Sequence, residues 1–372
     1  MKLIIAGGGT GGHLFPGIAI AEEFLARDSA NQVLFVGTER GIEARAVPAA
    51  GYPLKFISAA GIRGKGTLSQ LKGSAMMVYG YAQSRKILKD FQPDIVIGVG
   101  GYASLPMVLA ARGMGISRFI HEQNAIPGLT NRLLAKFASK VFITLEESAR
   151  YFPSAQTILT GNPLRRQILD SLGDREQGTG NRKDPAVPCT LHPAPCFHIF
   201  VFGGSQGAHA INTAMIEALP LLKKSRSNMI ITHQTGEKDY AEVTAAYREA
   251  GVKANVTAFI TDMAAEYAKA DLVICRAGAT TIAEVTACSK ASLFIPFPHA
   301  VDDHQRRNAE ALLKKDACFM MLERELSGIT LAESICTLSG DPDLVHRTGD
   351  LAFSLARLDA ARIIVNEMME IN

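Results

Sequence analysis

Short apolar runs alternate with longer amphipathic stretches along this chain, and the alternation stops once and then restarts. Leu3 to Ala6 is apolar and the length of a buried strand. Gln32–Val36, Asp94–Val99, Phe119–Ile120 and Val141–Ile143 repeat it, with helical stretches such as Ile18–Arg27 and Leu68–Asp90 between them. Strands that are apolar throughout, spaced by helices, predict a parallel sheet covered on both faces. After about Leu172 the period is lost. Gly173–Pro195 is rich in Gly, Pro, Asp and Arg and reads as a linker or a surface insertion. Then the rhythm restarts: a strand over His198–Phe202, a glycine-rich turn over Gly203–Ala208, and a helix from His209. Further strands are expected over Met229–Thr232, Val256–Phe259, Asp271–Cys275 and Ser292–Ile295.

Strand, glycine loop and helix therefore open both halves. The expected fold is α/β, with two Rossmann-like domains of parallel sheet and a site in the cleft between them, at the carboxyl ends of the strands. The boundaries are expected at residues 1–163 and 164–350, with 173–197 as the linker or insertion. A final helix, 351–372, is expected to return to the first domain. The length, 372 residues, exceeds what one ordinary core holds.

Composition narrows the function classes. Apolar residues make up 47% and charged residues 20%, as in a globular protein. A formal charge of only +3 carries no bulk signal for nucleic acid, so none is expected as a partner. No apolar run reaches the roughly 18 residues of a membrane span. The run after Lys2 is stopped at once by glycines, which argues against a signal peptide. Six scattered cysteines suggest a reducing compartment. Cys189, His192, Cys196 and His198 are zinc-ligand types, but their spacing fits no ordinary finger, and Pro188, Pro193 and Pro195 crowd them into a proline-rich loop.

The chemistry is concentrated in the loops. Gly7-Gly8-Gly9-Thr10-Gly11-Gly12 matches G-x-G-x-x-G between a strand and a helix, where glycine lets the backbone approach an anion and the helix start supplies N–H groups. The same pattern fits a dinucleotide, or a tight turn with no ligand. Glu39 lies beyond Gly37-Thr38, a loose fit to the acidic residue of a nicotinamide site. His13 follows the loop and is a candidate general base, or a hydrogen-bonding helix-start residue. In the second half, Cys275-Arg276-Ala277-Gly278-Ala279-Thr280-Thr281-Ile282-Ala283-Glu284 again links strand to helix. Glu284 is placed to accept both hydroxyls of a ribose, or simply to favour the helix dipole. Pro296-Phe297-Pro298-His299 and Asp302-Asp303-His304-Gln305, with Asn308, follow; His299 and His304 can equally be caps.

Gly98–Pro106 forms a third glycine cradle, and His121-Glu122-Gln123-Asn124 sets four polar side chains at a strand end, either a binding group or a turn cluster. The one Asp-x-Asp pair, Asp341-Pro342-Asp343, reads as a surface loop, which favours a metal-free mechanism with no cofactor. Over Ile62–Phe91, Arg63, Lys65, Lys72, Arg85, Lys86 and Lys89 alternate with Leu68, Leu71, Met76, Met77, Val78, Tyr79 and Tyr81. That pattern suits a helix on an anionic membrane, or a core helix with a solvated face.

Taken together, GGGTGGH (Gly7–His13), GVGGYASLP (Gly98–Pro106), HEQNAIPG (His121–Gly128), GNPLR (Gly161–Arg165), GGSQGA (Gly203–Ala208), CRAGATTIAE (Cys275–Glu284) and PFPHAVDDHQ (Pro296–Gln305) resemble the MurG family of bacterial UDP-N-acetylglucosamine transferases. The motifs run in order across nearly the whole chain. The resemblance implies a GT-B fold, inversion at the anomeric carbon, and conversion of lipid I to lipid II in peptidoglycan synthesis. It implies donor contacts from Thr10, Gly11, Gly12, Asn124, Arg165, Ser205, Ile260, Ala279, Thr280, Thr281, Ile282, Ala283, Glu284 and Gln305. It implies that the first domain's glycine loops hold the acceptor's diphosphate, through Gly9, Gly100, Gly101 and Tyr102. His13 is the expected base, with Glu122 as its rival. The implied partners are UDP-N-acetylglucosamine, the undecaprenyl-diphosphate-linked acceptor and an anionic membrane surface, at the cytoplasmic face of the inner membrane. The Gly173–Pro195 stretch departs from the family in length. A UDP-sugar epimerase on the same fold and a nicotinamide-dependent oxidoreductase remain as alternatives; a non-catalytic nucleotide-binding module has no need of the polar clusters.

Overall fold

The computed structural model describes residues 1–59, 67–152, 156–177, 196–225 and 228–370. Cys189 and His192 lie outside them, as do Ile62, Arg63 and Lys65 and the side chains of Leu68, Leu71 and Lys72.

The chain forms two compact units, Met1–Arg165 with Arg357–Asn372, and Arg166–Ala356. The first holds seven strands: β1 Lys2–Ala6, β2 Gln32–Gly37, β3 Leu54–Phe56, β4 Ile95–Gly98, β5 Ser117–Glu122, β6 Lys140–Ile143 and β7 Thr157–Leu159. The second holds six: β8 Phe197–Phe202, β9 Met229–Gln234, β10 Ala254–Thr257, β11 Leu272–Cys275, β12 Ala291–Phe294 and β13 Phe319–Met320. The sheet orders are β3-β2-β1-β4-β5-β6-β7 and β10-β9-β8-β11-β12-β13. Every pairing is parallel. A parallel strand needs a crossover, and helices supply it. β1, β4, β8 and β11 are buried almost end to end, which is why they read as unbroken apolar runs.

Three edge strands, β3, β7 and β13, were not expected. They span three, three and two residues, too short to show a period. β5 is longer than expected, so His121 and Glu122 are its last two residues rather than part of the loop beyond it. Helix Arg166–Gln177 runs through Gly173, so the expected start of the linker falls inside a helix; Arg175, Glu176 and Gln177 are good helix formers. Residues 178–195 of that stretch are outside the described residues.

The single final helix is corrected to two, Pro342–Ser354 and Ala360–Met369. The first buries Val345, Thr348 and Ala352 in the second unit, and the second buries Ile364, Val365 and Met368 in the first. One straight helix cannot serve two cores, so the chain turns at Leu355–Asp359. In the first unit the last helix packs on helix Gly11–Arg27, where Arg27 Nη2 donates to Asn366 Oδ1 at 2.9 Å. Asp341-Pro342-Asp343 is a helix start rather than a loop: Asp341 Oδ1 accepts from the Leu344 N–H at 2.9 Å, and Pro342 sits where no N–H is needed.

Candidate active site

In each sheet the strand order reverses beside the first strand, between β1 and β4 and between β8 and β11. Loops leaving such a pair diverge and leave a crevice at their carboxyl ends, where open α/β sheets bind ligands. The four loops at these two points are Gly7–Thr10, Val99–Ala103, Gly203–Ala208 and Arg276–Gly278, all singled out by their composition.

In the first unit the two glycine loops lie against each other. Gly8 N–H donates to Gly100 O at 3.2 Å. Gly101 has φ +82°, and a Cβ there would stand 2.4 Å from Gly8 O, so only glycine fits. Beneath them is a side chain that the motif gave no reason to choose. Glu43, 1% exposed, accepts from Gly9 N at 2.7 Å, Thr38 N at 2.9 Å and Thr38 Oγ1 at 3.0 Å. Two of the N–H groups in these loops are engaged within the fold. Gly9 is spent on Glu43, and Gly100 N–H donates to Ser104 Oγ at 3.1 Å. Tyr102 stands out at 56% exposed.

Helix Gly11–Arg27 begins at the end of this loop and carries His13 in its first turn. The half-buried ring packs over Gly100, whose Cβ would lie 2.7 Å from Nδ1. Nδ1 is 2.9 Å from Gln123 Oε1. Burial lowers the pKa of His13, against smaller opposing effects from the Gln123 bond and the Glu43 charge. The imidazole is therefore neutral at pH 7 and able to accept a proton.

His121 and Gln123 are buried behind it. Gln123 Nε2 approaches Val99 O at 2.9 Å and His121 Nδ1 at 3.0 Å, while His121 Nε2 lies 3.3 Å from Gly161 O. Burial pulls the His121 pKa down to about 4. Glu122 is engaged differently. Its Oε1 accepts from Asn124 N at 2.9 Å and Asn124 Nδ2 at 3.3 Å; its Oε2 accepts from Asn131 Nδ2 at 2.9 Å and Gly128 N at 3.3 Å. At 1% exposure, with burial raising its pKa, this carboxylate ties the loop from residue 124 to 128 to the strand end. Arg165, the last residue of the first stretch, stacks its guanidinium over Phe15, 5.3 Å from the ring centroid.

The second unit repeats the plan with other residues. Helix Ala279–Ala287 starts directly after the β11 loop, so its first N–H groups face outward from the strand ends. Ala279, Ile282 and Glu284 are buried, and Thr280, Thr281 and Ala283 are partly exposed. Glu284 Oε2 accepts from Tyr267 Oη at 3.1 Å. Ser205 is exposed at the tip of the Gly203–Ala208 loop. Gln234, at the end of β9, donates to Gly204 O at 2.9 Å and accepts from Ile260 N at 3.0 Å, so it joins two segments expected to meet the donor. Gln305 Oε1 accepts from Phe297 N at 3.0 Å. Arg276 donates to Ile295 O at 3.0 Å and pairs with Glu323 at 2.6 Å, bracing the strand ends. His304 Nδ1 lies 2.7 Å from Val301 O, a local capping contact, and His299 is exposed. Glu43, Gln234 and Tyr267 are the residues that sequence reasoning missed. Among the described residues, no group of three or more His, Cys, Asp or Glu side chains is placed to hold a metal ion.

Comparison with known proteins places these units. Residues 3–143 match the glycosyltransferase family 28 N-terminal domain, and residues 198–347 match the glycosyltransferase family 28 C-terminal domain. The UDP-N-acetylglucosamine–N-acetylmuramyl-(pentapeptide) pyrophosphoryl-undecaprenol N-acetylglucosamine transferase of Pelobacter propionicus is 70% identical, over 99% of both chains. Its counterpart in Geobacter sulfurreducens is 63% identical, over 99% of this chain and 98% of that one. The crystal structure of Acinetobacter baumannii MurG superposes with a TM-score of 0.77 at 30% identity, covering 99% of each chain. A Neisseria meningitidis UDP-GlcNAc 2-epimerase bound to UDP-GlcNAc shares the fold, with a TM-score of 0.68 at 15% identity over the full length of both chains. The chain has the GT-B architecture and belongs to the MurG family of N-acetylglucosamine transferases, within glycosyltransferase family 28.

Proposed function

We infer that this enzyme transfers N-acetylglucosamine from UDP-N-acetylglucosamine to the 4-hydroxyl of the N-acetylmuramyl sugar of lipid I, with inversion, to give lipid II. The observation that carries the mechanism is His13, a neutral imidazole in the first turn of a helix at the strand-order reversal of the first unit. As the acceptor oxygen forms its bond to the anomeric carbon, His13 takes that hydroxyl's proton, and the bond to the diphosphate breaks. Both electrons leave with UDP. The start of helix Ala279–Ala287 offsets the charge gathering on the departing diphosphate. Glu284, steadied by Tyr267, accepts the ribose hydroxyls, and Gln305 with Asn124 orients the sugar.

Glu122 is the weaker candidate for the base. Four hydrogen bonds occupy both of its oxygens, which fits an organiser of the Asn124–Gly128 loop. Thr10, Gly11 and Gly12 are assigned to the donor. The acceptor's diphosphate is assigned to the loops that hold Gly9, Gly100, Gly101 and Tyr102. The second unit's own nucleotide-type loops disfavour a nicotinamide enzyme. The epimerase reading rests on fold alone, whereas sequence identity to transferases reaches 70%.

Among the described residues, no helix is long and apolar enough to cross a membrane. Val78 and Tyr79, 72% and 61% exposed, share a face of helix Thr67–Phe91 with exposed Lys86 and Lys89 two to three turns further on. We assign this face to the anionic cytoplasmic surface of the inner membrane, so that the enzyme reaches a lipid-borne substrate as a peripheral protein. Labelled UDP-N-acetylglucosamine with a lipid I analogue tests the transfer. Product is expected with the wild type, and a loss of about 10²- to 10⁴-fold in kcat with His13→Ala. Release of free sugar or an epimer without acceptor sinks the transferase reading. Near-normal kcat in His13→Ala sinks the base assignment.

A further inference from the structure

A histidine is a base only through the ring nitrogen that lacks a proton, so its tautomer decides what it can do. Gln123 leaves His13 one choice. Val99 O is an acceptor and nothing else, and the end of the Gln123 amide 2.9 Å from it must therefore be the NH2 group. The second hydrogen of that NH2 meets His121 Nδ1 at 3.0 Å. The amide oxygen is left facing His13 Nδ1 at 2.9 Å, and an amide oxygen only accepts. Nδ1 thus carries the proton and Nε2 keeps its lone pair. By the same logic His121, accepting at Nδ1, carries its proton on Nε2 and points it at Gly161 O, 3.3 Å away. Burial disfavours the charged form of both rings, which keeps this direction of donation intact at neutral pH.

We propose that Gln123 is a positioning residue that sets the tautomer of His13, so that Nε2 faces the acceptor hydroxyl, and that Val99 O and His121 fix the orientation of the Gln123 amide. The proposal rests on the reading of His13 as the base. It goes further by naming the nitrogen that acts and the residue that selects it.

The test is ¹⁵N NMR of the full-length enzyme labelled at histidine, with the His13 signals identified by their loss in His13→Ala. In the wild type, His13 is expected to show a protonated Nδ1 and a bare Nε2. Gln123→Met is expected to shift it toward the mixture seen for free imidazole. In kinetics, Gln123→Met is expected to lower kcat at least 10-fold with KM for UDP-N-acetylglucosamine unchanged. A wild-type His13 protonated at Nε2 overturns the proposal, and the measurement needs no variant. An unmoved tautomer in Gln123→Met overturns it too. If the tautomer is as expected but His13→Ala keeps its kcat, the tautomer assignment stands and the base reading falls.

Discussion

Glu43 gives the sharpest check on the glycine loop, because stability and catalysis should respond to its charge in opposite ways. Glu43→Gln keeps the shape of the side chain and changes one oxygen into a donor. The amide oxygen can keep both Thr38 bonds, at 2.9 and 3.0 Å; the NH2 group then faces the Gly9 N–H, donor against donor, where an oxygen sat at 2.7 Å. A hydrogen bond to a charged group contributes about 1.5 to 3 kcal/mol. Gly9 lies at the surface and can turn its N–H to water, so the lower end applies, about 1.5 kcal/mol. For a unit of this size that corresponds to a fall in Tm of about 3 to 6 °C. Catalysis moves the other way at low pH. The Glu43 charge raises the His13 pKa, so its removal lets that pKa fall further and carries the acidic limb of kcat/KM to lower pH. Calorimetry and a pH–rate profile on the same preparation read both effects. A variant with unchanged Tm and an unmoved acidic limb refutes the idea that this carboxylate organises the loop and its histidine.

Tyr267→Phe removes the hydroxyl donating to Glu284; titration with UDP is expected to show about 5- to 10-fold weaker binding, the equivalent of one hydrogen bond of about 1 kcal/mol. His121 and His233 are both held at about 4. An unfolded imidazole near 6.5 takes up its proton first, so this stability is complete above pH 6.5 and lost as the pH falls toward 4, by about 3 kcal/mol per histidine. Urea unfolding at stepped pH should show that slope, and a flat profile between pH 7 and 5 contradicts it. Gly101→Ala must fit a methyl 2.4 Å from Gly8 O at φ +82°, and circular dichroism melting should show a clear loss of stability along with reduced transfer. Transfer is expected to persist in EDTA, and its abolition, with recovery on adding a divalent cation, overturns the metal-free mechanism.

Much of this was legible because parallel strands buried on both faces must be apolar throughout, and because a backbone that packs on another backbone needs glycine. The apolar runs therefore located the central strands, and Gly7–Gly12, Gly98–Gly101 and Gly203–Gly207 located the loops at the two sheet reversals. What stayed hidden depended on contacts distant in sequence. Glu43 sits 34 residues from Gly9, and nothing beside it marks it as a partner of that loop. Gln123 is 110 residues from His13, and its role lies in which way an amide points. Edge strands such as Phe319–Met320 are made by their neighbours and not by their own pattern. Glu122 was visible as a polar residue at a strand end, but its four hydrogen bonds, from Asn124, Gly128 and Asn131, show only in the fold.

The return of Arg357–Asn372 to the first unit makes the second unit an insertion within the first. A ribosome that has finished Arg165 still has roughly 200 residues to make before Ile364, Val365 and Met368 are available to cover helix Gly11–Arg27. At about 5 to 20 residues per second that delay is roughly 10 to 40 s. The first unit waits with an apolar flank open while the whole of the second is made. Loss of only a short C-terminal piece would therefore cripple the end of the protein made first, and the first unit, not the second, is where truncated or stalled chains should aggregate.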